Sequence, residues 1–235
     1  MTRWSYLTAH LTALLALVGF WLGGAWSYSF VLFTFGVIPL VELFVLPSTS
    51  NFEDEMLAER GQDPLFNYLL LSVVPLQYII LFAYLWFASS GTWGAIEWVG
   101  CTLSMGVACG SFGINVAHEL GHRSDTLSKR SAKALLLTSL YMHFFIEHNR
   151  GHHAKVATEE DPASARMGES LYPFWWRSIK GSFLSAWRLE ARRLQRKSKS
   201  AWSWGNETLR FVVIELGTIA CIGLAFGPLA LIGFI

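Results

Sequence analysis

Residues 93–123 read WGAIEWVGCTLSMGVACGSFGINVAHELGHR. An apolar run passes into His118-Glu119-Leu120-Gly121-His122-Arg123 with no breaker between them. About 20 apolar residues suffice for a helix to cross the hydrocarbon of a bilayer. The stretch therefore predicts a membrane helix that carries histidines at its end. A second string, EHNRGHH, follows at 147–153, and five of the chain's seven histidines lie in the two strings. His118 and His122 are four apart, as are His148 and His152, so each pair shares one helix face, with His153 adjacent. Imidazoles concentrated in this way inside an apolar chain point to a bound metal.

Composition agrees with a lipid solvent. The chain has 235 residues, 53% hydrophobic and 15% charged, and its mean hydropathy is +0.39. Soluble domains carry about a quarter charged residues. The 11 Trp suit rings that settle at the membrane boundary near span ends. Cys101, Cys109 and Cys221 lie in apolar runs without CxxC spacing, which speaks against a structural disulfide, an iron–sulfur site or a rubredoxin-type iron site. The N-terminus reads as a first span and not as a removed signal peptide.

Working outward, the hydropathy pattern predicts an all-α integral membrane protein, one membrane-embedded domain over 1–235. It is a bundle of five spans at about 6–22, 26–46, 66–88, 93–117 and 209–226, with the start of a sixth at 229–235. Breaks at Gly23-Gly24, Ser89-Ser90-Gly91 and Gly227-Pro228 separate them, and a polar acidic segment fills 48–64. A span does not end inside hydrocarbon with its carbonyls unpaired, so the chain is expected to be a fragment cut at Ile235. The apolar run 135–146 is too short to cross and predicts a helix that dips into the protein or one leaflet. Trp187–Lys199 reads as an exposed basic helix. Fifteen of the 18 Lys and Arg fall between Arg123 and Lys199, and positive charge marks the cytosolic side. This predicts a cytosolic N-terminus and a cytosolic histidine cluster.

Five imidazoles exceed what one tetrahedral zinc uses, and neutral imidazole suits iron, copper and zinc alike. The excess suggests two metals, in a pattern unlike the Glu-rich ligand sets of soluble di-iron bundles. A rival reading is literal: His118-Glu119-Leu120-Gly121-His122 is HExxH, the zinc-protease string with Glu as general base. A protease needs one further ligand, which leaves most of EHNRGHH unexplained.

HELGHR, EHNRGHH, the run VATEEDPASARMGES at 156–170 and PFWWRSIKGSFLSAWRLEARRL at 173–194 together resemble the bacterial alkane 1-monooxygenase family. That family is the hydroxylase branch of the membrane fatty-acid desaturase and hydroxylase superfamily. The likeness runs from about the second span to the end of the chain. It implies a di-iron centre of two non-haem iron ions held by histidines at the cytosolic end of a six-span bundle in the bacterial inner membrane. The implied reaction is O2-dependent terminal hydroxylation of n-alkanes to 1-alkanols. Rubredoxin and rubredoxin reductase are the implied electron donors, the lipid bilayer is the medium, and no nucleic acid is involved. Carried onto this sequence, His118, His122, His148, His152 and His153 become iron ligands. Family members continue into further histidine strings, so the remaining ligands are expected beyond Ile235. Alternatives within the superfamily are a fatty-acid desaturase or a hydroxylase of another apolar substrate, and outside it a remnant that only binds metal.

Around these ligands, His143, Glu119, Glu147 and Asp161 are candidates for orienting the imidazoles through hydrogen bonds. His143 is alternatively a sixth ligand, and Asp161 before Pro162 is alternatively a turn residue. His10 reads as a packed helix histidine. The basic helix 187–199 reads either as a dock for an acidic electron carrier or as an ordinary anchor beside anionic lipid. Thr34, Phe35, Gly106 and Gly110, on small-residue faces of the second and fourth spans, are candidates for lining a substrate channel.

Overall fold

The computed structural model describes residues 7–45 and 63–235, which are helical with no strand among them. In chain order α1 is Leu7–Leu22, α2 Gly24–Phe44, α3 Pro64–Ser89 and α4 Ala95–Gly121. Helix α5 is Thr126–Leu137, α6 covers 144–155, α7 is Leu171–Gln195 and α8 is Glu207–Phe234. Among the described residues α2, α3, α4 and α8 are long and apolar enough to cross a membrane, and α1, at 16 residues, is apolar but shorter. The protein is an all-α membrane protein. Tyr6, Leu46 and nearly all of the acidic segment 48–64 lie outside the described residues.

The expected spans fall on these helices with shifted edges. Asp63 caps α3, its Oδ1 accepting from the Leu65 amide at 2.9 Å, and Pro64 takes the first helical position. Helix α4 runs four residues past its expected end, which places His118 inside it. The spans expected at 209–226 and 229–235 form one element, interrupted at Gly227 (φ 79°, ψ 178°) before Pro228.

Two expectations need correction. Residues 135–146 are not one dipping helix. Leu135 and Leu136 are the buried side of α5, an amphipathic helix capped by Asp125, whose Oδ1 accepts from the Ser128 amide at 2.8 Å. Leu140 then takes φ 50° and breaks the run. The basic segment 187–199 is the end of α7, which starts at Leu171 and stops at Gln195, and its inner side is fully buried at Ala186 and Glu190.

The chain forms two compact units, Met1–Val116 with Ile222–Ile235, and Ala117–Cys221. In the first, Ala13, Ala16 and Phe20 of α1 are buried, and Phe20, Tyr84 and Trp93 pack their rings at 5.7–5.9 Å. Trp93 Nε1 donates to the Phe20 carbonyl at 3.1 Å, and the Tyr84 and Thr102 hydroxyls lie 2.8 Å apart, so these polar atoms are paired within the apolar core. Trp21, Leu43 and Phe44 remain more than 70% exposed, as side chains facing lipid do. This unit holds a largely apolar cavity of about 720 Å³, lined among others by Phe30, Phe33, Thr34, Leu69, Phe112 and Val116. His10 also lines it and shares a 2.9 Å hydrogen bond with Ser72.

The second unit is built from α5, α6, α7 and the first turns of α8. Its centre is Glu190, whose carboxylate accepts from Arg150 Nη1 (2.8 Å), Arg193 Nε (2.8 Å), Arg193 Nη2 (2.7 Å) and the Glu207 amide (2.8 Å). Burial pushes this carboxyl up, but the donors from Arg193, Glu207 and Arg150 outweigh it and hold it at about 2. Glu207 extends the network to Lys133 Nζ at 2.6 Å.

Candidate metal centre

The two histidine strings sit on different local geometries. Helix α4 closes on His118 at its last turn, and His122 follows its final residue, where the Glu119 and Leu120 carbonyls accept from the His122 and Arg123 amides in a tightened turn. The second string forms a π turn, His148–His152, inside α6. A π turn shifts the facing position from four residues on to five, and such bulges recur at functional sites. The His148 and His153 Nε2 atoms therefore lie 3.1 Å apart, while the His152 ring stacks on His148 with centroids 5.2 Å apart.

The result is a chain of nitrogens. His118 Nε2 lies 3.0 Å from His122 Nε2, which lies 3.2 Å from His148 Nε2. One nitrogen from each of His118, His122, His148 and His153 falls within 4.8 Å of the other three. A tetrahedral ion with ligands at 2.0–2.1 Å separates them by roughly 3.3 Å. Burial, and then the rings of His118, His153 and His122, push His148 down to about 3, so its ring stays neutral and keeps a lone pair for a cation. Four imidazoles gathered around one point fit a bound transition metal, because a cation satisfies their inward nitrogens together. The cluster is open on one side, since His118, His122 and His153 are exposed.

His152 lies outside this set of four. Its Nδ1 donates to Asp161 Oδ2 at 2.9 Å, which fixes the tautomer and leaves Nε2 as the lone-pair nitrogen. Asp161 is itself 1% exposed. Burial pushes its carboxyl up, but Ser164 Oγ (2.5 Å), the Ala163 amide (3.0 Å) and His152 hold it below the usual carboxylate range. Asp161 thus does more than start a turn.

The other candidates separate. Glu147 is buried, and its Oε2 accepts from the His152 amide at 3.2 Å while Oε1 has no partner among the described residues. A Cβ on Gly151 would collide with this carboxylate, so a larger residue there forces the buried Glu147 side chain to shift. Glu119 instead points away into an ion pair with Arg123 at 3.6 Å and is more than half exposed. His143 is buried against the Tyr141 and Phe183 rings, its Nε2 has no partner among the described residues, and burial pushes it down to about 4. Phe144 stacks on His148, centroids 4.8 Å apart. In the other unit Thr34 lines the apolar cavity, Phe35 is 70% exposed, and Gly106 and Gly110 face open space.

Sequence reasoning missed the Arg150–Glu190 tie and the role of Glu215. The Glu215 carboxylate accepts from the Met142 amide at 2.8 Å and so caps the turn before α6. The signal for Glu190 was present, as a lone acid within the basic run WRLEARRL.

Comparison with known proteins adds an independent line. The family model described as "Fatty acid desaturase" matches residues 93–235. Alkane 1-monooxygenase 1 of Alcanivorax borkumensis is 40% identical over 210 residues, 88% of this chain and 52% of that protein. An alkane 1-monooxygenase of Ectopseudomonas oleovorans is 36% identical over 221 residues, covering 92% of this chain and 55% of the relative. The hydroxylase component of a Pseudomonas putida xylene/toluene monooxygenase is 29% identical over 229 residues, 95% of this chain and 59% of that one. The chain spans about half the length of the curated relatives it matches.

Proposed function

The chain belongs to the fatty acid desaturase family, and from that premise we propose that it is part of an O2-dependent membrane monooxygenase that converts n-alkanes to 1-alkanols. The observation that carries this reading is the convergence of His118, His122, His148 and His153 within 4.8 Å, in a chain whose relatives are named alkane 1-monooxygenases.

In this reading two non-haem irons are held by these four residues and His152, with further ligands from beyond Ile235. When bound, iron supplies the oxidising power that an unactivated C–H bond demands and that no protein side chain offers. The residues described here hold and orient. Asp161 keeps His152 in one tautomer, Glu147 fixes the backbone between His148 and His152, and Phe144 shields one face of His148 from water. The apolar cavity with Thr34 on its wall is the proposed alkane channel. Rubredoxin, reduced by its reductase, is the proposed electron source. The proposed location is the bacterial inner membrane with the histidines on the cytosolic side, a reading supported by the concentration of positive charge in 123–199.

The family description itself favours a second reading, in which the same centre desaturates an acyl chain. The test is to express the complete gene with rubredoxin and its reductase in a bacterium unable to oxidise alkanes, supply n-alkanes, and analyse the extract by gas chromatography. Terminal alcohols with iron in the purified protein support hydroxylation. New double bonds in the extracted acyl chains support desaturation, and zinc with no oxygenated product revives the HExxH protease.

A further inference from the structure

Behind the histidine turn, within the second unit, lies a cavity of about 270 Å³ that the oxidation chemistry does not use. Gly151 forms part of its wall, and Lys155, Arg166, Arg177, Arg188 and Arg192 line it with two carboxylates, Glu159 and Glu160. Two of the cations are already neutralised. Lys155 Nζ pairs with Glu160 at 3.0 Å, and Arg177 pairs with Glu169 at 2.6 Å. The guanidinium groups of Arg166, Arg188 and Arg192 make no ion pair within 4.0 Å and no hydrogen bond among the described residues. Glu169, already paired with Arg177, lies near Arg166, and Glu159 is the remaining carboxylate on the wall. The cavity therefore carries an excess of two positive charges.

Three exposed guanidiniums line one concavity, an arrangement whose excess positive charge an anion complements. Each offers a planar fork of donors suited to paired oxygens. A carboxylate has two oxygens and occupies little more than one fork, whereas a phosphate group presents enough oxygens to engage all three. The volume falls just under the common range for small-molecule sites, about 300–1,000 Å³, and fits a phosphate head better than a large ligand. The same helix exposes Tyr172, Trp175 and Trp176 at 53–76%, residue types that favour the headgroup layer of a membrane.

We propose that this cavity is a phosphate-binding site, formed by Arg166, Arg188 and Arg192, for the phosphate of an anionic phospholipid headgroup or of a free phosphate compound. This site is distinct from the histidine centre and does not depend on the proposed alkane hydroxylation.

The experiment uses the whole protein, purified in neutral detergent and in nanodiscs. Inorganic phosphate is titrated in detergent at constant ionic strength, and phosphatidylglycerol nanodiscs are compared with phosphatidylcholine nanodiscs. Thermal unfolding and native mass spectrometry of retained lipid are the readouts. The expected result is a rise in unfolding temperature with at least one of the two probes. Arg188→Gln/Arg192→Gln is expected to weaken that binding about tenfold or more. The charge-matched control Arg196→Gln/Lys199→Gln, on residues outside the cavity wall, should leave it within about twofold. Stabilisation by phosphatidylglycerol alone identifies a lipid headgroup, and stabilisation by phosphate in detergent identifies a free ligand. No response to either probe, or an equal loss in the control, overturns the proposal.

Discussion

Arg150 Nη1 lies 2.8 Å from Glu190 Oε1, and this one ion pair ties the histidine-bearing turn of α6 to the middle of α7. Arg150 sits between His148 and His152, so whatever holds its side chain also holds the turn. Glu190 is fully buried and accepts from three residues, whereas Arg150 and Arg193 each keep more than a third of their side chains exposed.

Glu190→Gln removes the charge that balances Arg193 and leaves Arg150 only its longer pair with Glu207 at 3.6 Å. Breaking a buried pair from one side costs about 3–5 kcal/mol, and the partial exposure of the two arginines sets the expected loss at the lower end, about 3 kcal/mol. Chemical denaturation followed by tryptophan fluorescence checks this. A loss under about 1 kcal/mol would show that the network does not hold the unit together.

The same carboxylate sets a pH response. Glu190 is held at about 2 against an ordinary value of 4.5, so between those values the unfolded chain binds more protons than the folded one. Its stabilising contribution is complete above pH 4.5 and disappears as pH falls toward 2. Thermal unfolding measured across pH 5 to 2 should show a steeper decline in the parent protein than in Glu190→Gln. Parallel curves would refute the assignment.

Asp161→Asn leaves His152 without a charged acceptor. Loss of such an orienting partner typically weakens metal binding 10–100-fold, and a similar drop is expected in iron titrations, with helical content unchanged by circular dichroism. Unchanged iron affinity would remove His152 from the proposed ligand set.

Gly151→Ala places a methyl group against the Glu147 carboxylate. Overpacking of this kind costs about 1–3 kcal/mol, and the cost falls on the π turn that aims His148 at His153. Iron content per protein should fall together with the unfolding temperature, whereas Gly106→Ala, whose Cβ meets nothing within 4 Å, should leave both unchanged.

Thr34→Trp fills the apolar cavity of the first unit. If that cavity carries the alkane, the range of hydroxylated chain lengths shifts toward shorter substrates in competition assays with mixed alkanes. An unaltered product range would detach the cavity from the substrate path.

The all-helical, membrane-embedded character was legible in the sequence, because burial in lipid is a property of composition summed over about 20 residues. The division into spans was not, since α1 is shorter than a span and the last two expected spans form one element. The sequence also marked the two histidine strings as the place where imidazoles gather, since five of the seven histidines fall in them. What the tertiary structure decided was which imidazoles meet. Spacing four apart stacks His152 on His148, but the π turn adds one residue to the local period and also brings the His153 Nε2 to within 3.1 Å of the His148 Nε2. It likewise decided that Asp161, nine residues from His152, turns its carboxylate to that ring while neighbouring Glu119 faces Arg123. Periodicity specifies a face along one regular helix. A bulge in that helix, or a partner on another segment, is set by packing and by the need to pair buried charge.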